Sequence, residues 1–333
     1  MSTLSVDVRW LEGRNAIGRW GREVVTRLPH RYDPLRTEIP PASAADPVWL
    51  GHALRDYDVH LSPGYNAGLR LSRTPARQLV VLRDLLHLDL PEQGSRAQRQ
   101  YHQRVVLPAV RRAGSVVTLS EFSRERIAVW SGLPAERIVV APGAVSPRLL
   151  EAGAGAAPVR ERPYVLFVGN GRAHKRASVV VEAVLRDPDA RHDLVVVGSL
   201  NGVEAAAEDL VDRSAHRVTE MLRPDDDTLA GLYHGADCLV IPSTYEGFPL
   251  AAVEALHLEV PVVWCSEAVG DVVGDLGVQI AADDGATAVR AAVDVAIGLR
   301  QRPGWAEACA ARAERFSWDR SAASVARAVD ALL

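Results

Sequence analysis

Lysine is nearly missing from this 333-residue chain: of its 38 basic residues, Lys175 is the only lysine. Cysteine is almost as scarce. Cys238, Cys265 and Cys309 are too few and too scattered for a disulfide framework or a zinc site, so reduced, cytoplasmic thiols are expected. No run approaches about 18 uninterrupted apolar residues, which excludes an evident membrane-spanning helix. The opening Met1-Ser-Thr-Leu-Ser has neither a basic region nor a long apolar one, so no secretory signal is expected. No GxGxxG follows the first strand, and GxxxxGK[ST], HExxH and CxxC do not occur. A classical NAD enzyme, a P-loop ATPase and the familiar zinc motifs are disfavoured.

What is present describes a globular protein large enough for two domains, with 48% hydrophobic and 24% charged residues. Charge is unevenly divided. Residues 1–150 hold 21 basic against 14 acidic residues, a net +7, while the remainder holds 17 against 28, a net −11. Different partners for the two halves are implied. The basic half either faces an anionic acceptor or a membrane surface, or is simply solvated. No nucleic-acid partner is expected.

Strand, loop and helix alternate throughout. Leu4 to Trp10 alternates like a strand, Gly13 to Gly18 reads as a loop and Arg19 to Leu28 as a helix. Val59-His-Leu-Ser62, Gln78 to Leu82, Ser115 to Leu119 and Ile138 to Ala141 read as short buried strands. The Ala/Gly-rich stretch 151–160 is the best linker candidate. A second set follows in Tyr164 to Val168, Asp193 to Val197, Cys238 to Ile241 and Val260 to Trp264. Continuous apolar runs of this kind fit strands buried on both faces of a parallel sheet. Ser178 to Leu185 and Leu250 to Leu256 read as helices between them. The pattern predicts two doubly wound α/β domains with ligands at the carboxyl ends of the strands, in a cleft. Asp225-Asp226-Asp227 resembles a metal-binding DxD but precedes a predicted helix, where acidic residues are ordinary caps.

The most specific segment is Ser243-Thr-Tyr-Glu246-Gly247-Phe248-Pro249-Leu250-Ala-Ala-Val-Glu254. It follows a strand and opens a helix near Pro249, so first-turn N–H groups and the helix dipole favour an anion there. Carboxylates only accept hydrogen bonds and can take two hydroxyl donors, which suits the vicinal diols of sugars. A glutamate pair on a solvated helix would not need the apolar residues around it.

This segment resembles the E-x7-E signature of retaining GT-B glycosyltransferases, family 4 in particular. Phe167-Val-Gly-Asn170-Gly-Arg172-Ala-His-Lys175 resembles that family's VGN-x-x-x-H-K loop, and Arg223 to Ala236, with Leu232-Tyr233 and Ala236, its L-x-x-L-Y-x-x-A segment. Pro261-Val-Val, Val273-Gly-Asp275, Asp7-Val-Arg9, Ile17-Gly-Arg19, Thr118 to Arg124 and Phe316-Ser-Trp318 have counterparts as well. The resemblance implies a GT-B fold of class α/β, two Rossmann-like domains facing each other across a cleft. Residues 1–150 would bind the acceptor, 151–315 the nucleotide sugar, and 316–333 would form a helix crossing back to the first domain.

It further implies transfer of a hexose-like sugar from a nucleotide-diphosphate donor to a hydroxyl acceptor, with retention and without a metal or other cofactor. Arg172 and Lys175 would stabilise the leaving diphosphate, Glu246 would hold the transferred sugar and Glu254 the ribose. Asn170, Gly247, Phe248, Pro249 and Leu250 would line the donor, Met221 and Leu222 would meet the base, and Gly18 would let backbone approach a phosphate or the acceptor. A binding protein without turnover, or a nucleotide-sugar epimerase on the same scaffold, are the alternatives.

Departures from the family pattern concern the acceptor. Where many relatives carry His-Asp after the third N-terminal strand, this chain has Arg83-Asp84, and His87 lies one helical turn on. Arginine cannot serve as a base but can clamp an anion. Arg176 stands where glycine or asparagine usually follows the loop lysine. Arg96, Arg99, Arg104, Arg111 and Arg112 mark a basic helix over 95–113, which fits either a lipid-linked acceptor with peripheral contact at the inner membrane face, or a solvated surface.

Overall fold

A computed structural model of the chain describes residues 3–13, 15–70, 76–153, 155, 162–186 and 191–333. The chain divides into two compact units, Met1–Gly143 with Ser317–Leu333, and Ala144–Phe316.

In the first unit, strands β1 (Leu4–Asp7), β2 (Asp33–Leu35), β3 (Val59–Ser62) and β4 (Arg77–Val80) form a parallel sheet in the order β2-β1-β3-β4. β5 (Val116–Thr118) and β6 (Ile138–Val140) pair in parallel and join this sheet through a bridge between Val81 and Val117. Every residue of β1, β3 and β5 is buried, as strands covered on both faces must be. The terminal helix Trp318–Asp330 belongs here because Trp318, Ala322, Val325 and Val329 recur at helical spacing and bury one face. Ser321 Oγ donates to the Pro142 carbonyl at 2.6 Å, and Arg27 pairs with Asp319 at 3.1 Å.

The division between units falls before position 150. A helix over Pro147–Gly153 sends Leu149 into the second unit's core, beside Tyr164 and Leu232, and Ser146 Oγ donates to Asp226 at 2.9 Å. Much of the Ala/Gly-rich stretch, positions 154 and 156–160, lies outside the described residues.

Among its described residues the second unit holds six parallel strands: β7 (Tyr164–Asn170), β8 (Asp193–Ser199), β9 (Val218–Met221), β10 (Cys238–Ile241), β11 (Val262–Trp264) and β12 (Gly277–Gln279). Their order is β12-β11-β10-β7-β8-β9. Alternate residues of the apolar runs feed two cores, one on each face. Leu166, Leu239 and Val262 pack with the helix Leu250–His257, whereas Val165, Val240 and Val263 pack with the helices Ala177–Leu185 and Ala286–Leu299. β7 and β8 approach closely at Gly169 and Gly198. A Cβ on Gly198, whose φ is +130°, would lie 1.8 Å from the Gly169 carbonyl oxygen, so only glycine fits.

The predicted basic helix over 95–113 is interrupted. Helix over Arg96–Tyr101 passes into a π turn over His102–Val106 and resumes over Leu107–Ala113. Arg99 is spent locally, donating to the Pro91 and Gly94 carbonyls at 2.8 Å each, and Arg111 donates to the Ser131 carbonyl. Among the described residues no helix is long and apolar enough to cross a membrane.

Two histidines of this unit are held neutral. Burial pushes His60 and His102 down to about 4; for His102 the neighbouring His87 acts in the same direction, and the Gln98 carbonyl opposes it. In an unfolded chain both would titrate at about 6.5. Between those values the unfolded state binds more protons than the native one, so stability falls as pH drops through that window. Urea midpoints at pH 7 and pH 5 should therefore separate, and replacing His102 by phenylalanine should narrow the gap. An unchanged gap would show that His102 does not carry this dependence.

Candidate functional site

The second sheet reverses direction between β7 and β10. The chain runs outward from β7 to β8 and β9, then returns to β10 and proceeds to β11 and β12. The carboxyl ends of β7 and β10 therefore flank the topological switch point, where open parallel sheets bind ligands. The loop after β7 contains residues 171–176 and the loop after β10 residues 242–249.

Those loops are tied together at the centre. Lys175 ends a 3-10 turn over Ala173–Lys175, and its Nζ donates to Glu246 Oε1 at 2.7 Å. Both side chains are partly shielded, 21% and 13% exposed. The backbones also join, because Thr244 N donates to the His174 carbonyl at 2.9 Å. Asn170 Oδ1 accepts from the Arg172 backbone N–H at 3.2 Å and shapes the start of the loop, leaving the Arg172 side chain exposed beside it.

Arg176 explains its own departure from the family pattern. It adopts φ +51°, the left-handed region that favours glycine or asparagine. Its guanidinium donates to the Pro242 carbonyl at 3.4 Å, to the Ala281 carbonyl at 3.3 Å and to the Asp284 carbonyl. Those contacts brace the Lys175 loop against the loops after β10 and β12 and offset the backbone strain of roughly 1 kcal/mol.

The helix Leu250–His257 starts directly after the second loop and has no side-chain cap, so its N-terminal dipole faces the switch point uncapped. Pro249 is its N-cap residue. The Phe248 ring is half-buried and packs against the core, 6.0 Å from that of Phe316. Glu254 lies one turn inside the helix, only 6% exposed, and Tyr233 Oη donates to its Oε2 at 2.7 Å. Burial, then the adjacent carboxylate, pushes the Tyr233 hydroxyl well above its ordinary value. It stays a donor and fixes the carboxylate's orientation. Tyr233 stands inside the L-x-x-L-Y-x-x-A segment, so its position was visible in the sequence although its partner was not.

Met221 ends β9 and the 74% exposed Leu222 follows it, on the same edge of the sheet and two strands from β7. Asp225 caps the helix Asp226–Gly235, accepting from Thr228 N at 2.8 Å.

The remaining predicted residues lie in the first unit. Gly18 is explained by packing: a Cβ there would meet the Gly13 carbonyl oxygen at 2.0 Å, so the glycine serves the turn itself. Arg83 Nη1 donates to the Ala16 carbonyl at 3.0 Å, and burial pulls the guanidinium below its usual value while Asp84 opposes this. Asp84 Oδ1 accepts from Leu86 N. His87 is 6% exposed, its ring tilted by 54° against that of His102 with centroids 3.9 Å apart, and among the described residues its buried Nε2 has no hydrogen-bond partner. It is a packed residue, enclosed by the Gly94 turn, and not an exposed base.

Residues 162–297 match the model of the family described as glycosyl transferases group 1. The chain is 28% identical over 285 residues to O-antigen chain mannosyltransferase B of Escherichia coli, covering 80% of this chain and 73% of that protein. It is 30% identical over 232 residues to D-inositol 3-phosphate glycosyltransferase of Corynebacterium aurimucosum, covering 61% of this chain and 53%, about half, of that protein. The structure of WaaG, a glycosyltransferase involved in lipopolysaccharide biosynthesis, superposes with a TM-score of 0.66 at 17% identity, covering 98% of both chains. Anabaena Alr3699/HepE in complex with UDP-glucose superposes at 0.69 and 16%, covering 99% of this chain and 100% of that one. The fold is GT-B, with two Rossmann-like units.

Proposed function

We propose that this chain is a glycosyltransferase that moves a hexose-like sugar from a nucleotide-diphosphate donor to a hydroxyl acceptor, with retention and without a metal ion. The observation that carries this reading is the Lys175–Glu246 pair at the switch point, with the oriented Glu254 on the helix that follows. Lys175, Arg172 and the uncapped helix N-terminus supply positive charge where a diphosphate would leave, the electrostatic task of such a reaction. Glu246 faces the same point and offers acceptor oxygens to the hydroxyls of the transferred sugar. Glu254, held by Tyr233, offers its carboxylate to a ribose diol, and Met221 with Leu222 gives an apolar edge for the base. The match to glycosyl transferases group 1 and the UDP-glucose bound to a protein of the same fold support this reading.

In the proposed reaction the bond from the anomeric carbon to the phosphate oxygen breaks while the acceptor oxygen bonds to that carbon from the same face. The acceptor proton passes to the departing phosphate oxygen. No protein base is required, which accommodates an arginine at position 83 and a packed His87.

Thermal unfolding in the presence of UDP, GDP, ADP and dTDP tests the donor site. A ligand at a hundredfold excess over its Kd stabilises the native state by about 2.7 kcal/mol. One nucleotide should raise Tm, with EDTA making no difference, and the shift should vanish in Glu254→Ala. A shift abolished by EDTA would overturn metal independence. No shift with any nucleotide would overturn the donor reading.

A further inference from the structure

The first unit has a switch point of its own. β1 is flanked by β2 on one side and β3 on the other, so the carboxyl ends of β1 and β3 border the crevice at which such sheets take ligands. An aromatic pair lies just beyond those two strands and has no part in the donor site. Trp10 belongs to the 3-10 turn Val8–Glu12 after β1, and Tyr65 to the loop after β3. Their ring centroids are 5.6 Å apart with planes inclined by 53°, and both residues are half-buried.

The pair is rigidly mounted. Trp10 Nε1 donates to Asn66 Oδ1 at 2.6 Å, and Asn66 Nδ2 donates onward to Asp7 and Asp46 at 2.9 Å each. Gly64 lies against the indole so closely that a Cβ would approach Trp10 Cε2 to 2.3 Å. Tyr65 stacks on His102, centroids 5.2 Å apart and planes 29° apart, and His102 rests on His87. Burial lowers both histidines from their ordinary value, so the stack beneath Tyr65 carries no charge near neutral pH. The acidic residues beneath Asn66 are paired with Arg9. Among the described residues the Tyr65 hydroxyl has no hydrogen-bond partner, although the ring is fixed on two sides.

Aromatic faces carry negative potential and attract the weakly positive C–H groups of an apolar surface laid on them, while a tyrosine hydroxyl pairs with a polar edge. A pyranose presents both: a C–H face and an equatorial rim of hydroxyls. A phosphate-bearing ligand gains nothing from an uncharged stack. We propose that Trp10 and Tyr65 form the acceptor subsite, recognising a neutral pyranose ring, so that the acceptor is itself a glycan or glycoside. This inference rests on the glycosyltransferase reading.

Saturation-transfer NMR on the full chain tests it, with the methyl α-glycosides of mannose, glucose and galactose and, separately, myo-inositol 1-phosphate. At least one glycoside should receive saturation at its ring protons. The signal should fall about tenfold, the size of one lost aromatic stack, in Trp10→Leu and in Tyr65→Leu. Trp10→Leu also removes the bond to Asn66; Tyr65→Leu leaves that network intact and keeps the proposal testable if the first variant is poorly folded. The nucleotide-induced Tm shift should be unchanged in Tyr65→Leu. Glycoside binding that survives Tyr65→Leu would overturn the subsite. Binding of myo-inositol 1-phosphate with no glycoside, or of none of the four, would overturn the ligand class. Glycoside binding lost on mutation in a protein that binds no nucleotide would leave the subsite standing and sink the donor reading instead.

Discussion

Replacing Lys175 with alanine is expected to lower sugar transfer by about 10²–10³-fold, the cost of removing one preorganised donor aimed at developing charge. The effect should fall on turnover, because the diphosphate carries more negative charge as it departs than while it is bonded to the sugar. Stability should change little: the pair with Glu246 is partly exposed, and such pairs contribute roughly 0–1 kcal/mol. Glu246→Gln gives the contrasting result. It removes the negative charge that competes for the ammonium, so nucleotide binding should be retained or strengthened while transfer is lost. Lys175→Arg should not rescue, since a planar fork cannot occupy the position of a compact ammonium between two loops. Turnover of the nucleotide sugar and nucleotide affinity, measured on all three variants, decide the matter. Transfer by Lys175→Ala within a fewfold of the natural chain would remove Lys175 from the chemistry.

Part of this site is legible in the sequence alone. The apolar runs at Tyr164, Asp193, Cys238 and Val260 mark β7, β8, β10 and β11 because a strand covered on both faces has no reason to alternate. By contrast β9 and β12 are short and half-buried, and residues such as Thr219, Glu220 and Gln279 leave no periodic signal. The loop lysine and Glu246 were legible as motif members, 71 positions apart, but their direct ion pair was not. Periodicity says which residues face a core; it does not say which two loops a strand order brings together. The same limit hid the role of Tyr233. Phe248 was legible as a neighbour of the signature, but its packing against Phe316, far along the chain and brought near by the fold, was not. Arg176 shows that a residue type departing from a pattern does not imply a departing backbone, since its three carbonyl contacts hold the left-handed conformation that glycine would adopt freely.

Of the charged network under Trp10 only Asp7-Val-Arg9 stood out in the sequence, while Asp46 and Asn66 gave no signal, yet the network should be among the most sensitive places in the first unit. Asp7 and Asp46 are both fully buried, and among the described residues a single guanidinium serves them. Arg9 Nε donates to Asp7 Oδ1 at 2.8 Å, Nη1 approaches Asp46 Oδ1 at 2.8 Å and also donates to the Ile39 carbonyl, and the Arg9 plane covers the Trp49 ring at 4.7 Å. Asn66 completes the arrangement and uses all its hydrogen-bonding capacity, with two N–H bonds to the aspartates and two bonds accepted from Trp10 and Ser62. Removing one partner from a buried ion pair costs about 3–5 kcal/mol because the opposite charge is left unpaired away from water. Arg9→Ala strands two carboxylates at once, so the first unit should lose at least that much and unfold in markedly less urea. The converse change discriminates the mechanism. If unpaired charge is the cause, adding Asp46→Asn and Asp7→Asn to Arg9→Met should restore much of the stability, since a neutral network needs no cation. A triple variant as unstable as Arg9→Ala would mean that the shape of the guanidinium, laid between Trp49 and the Ile39 carbonyl, matters more than its charge. Because Asn66 links these aspartates to the indole of Trp10, loss of Arg9 should also loosen the Trp10–Tyr65 pair, so glycoside binding should weaken in whatever folded fraction of Arg9→Ala remains.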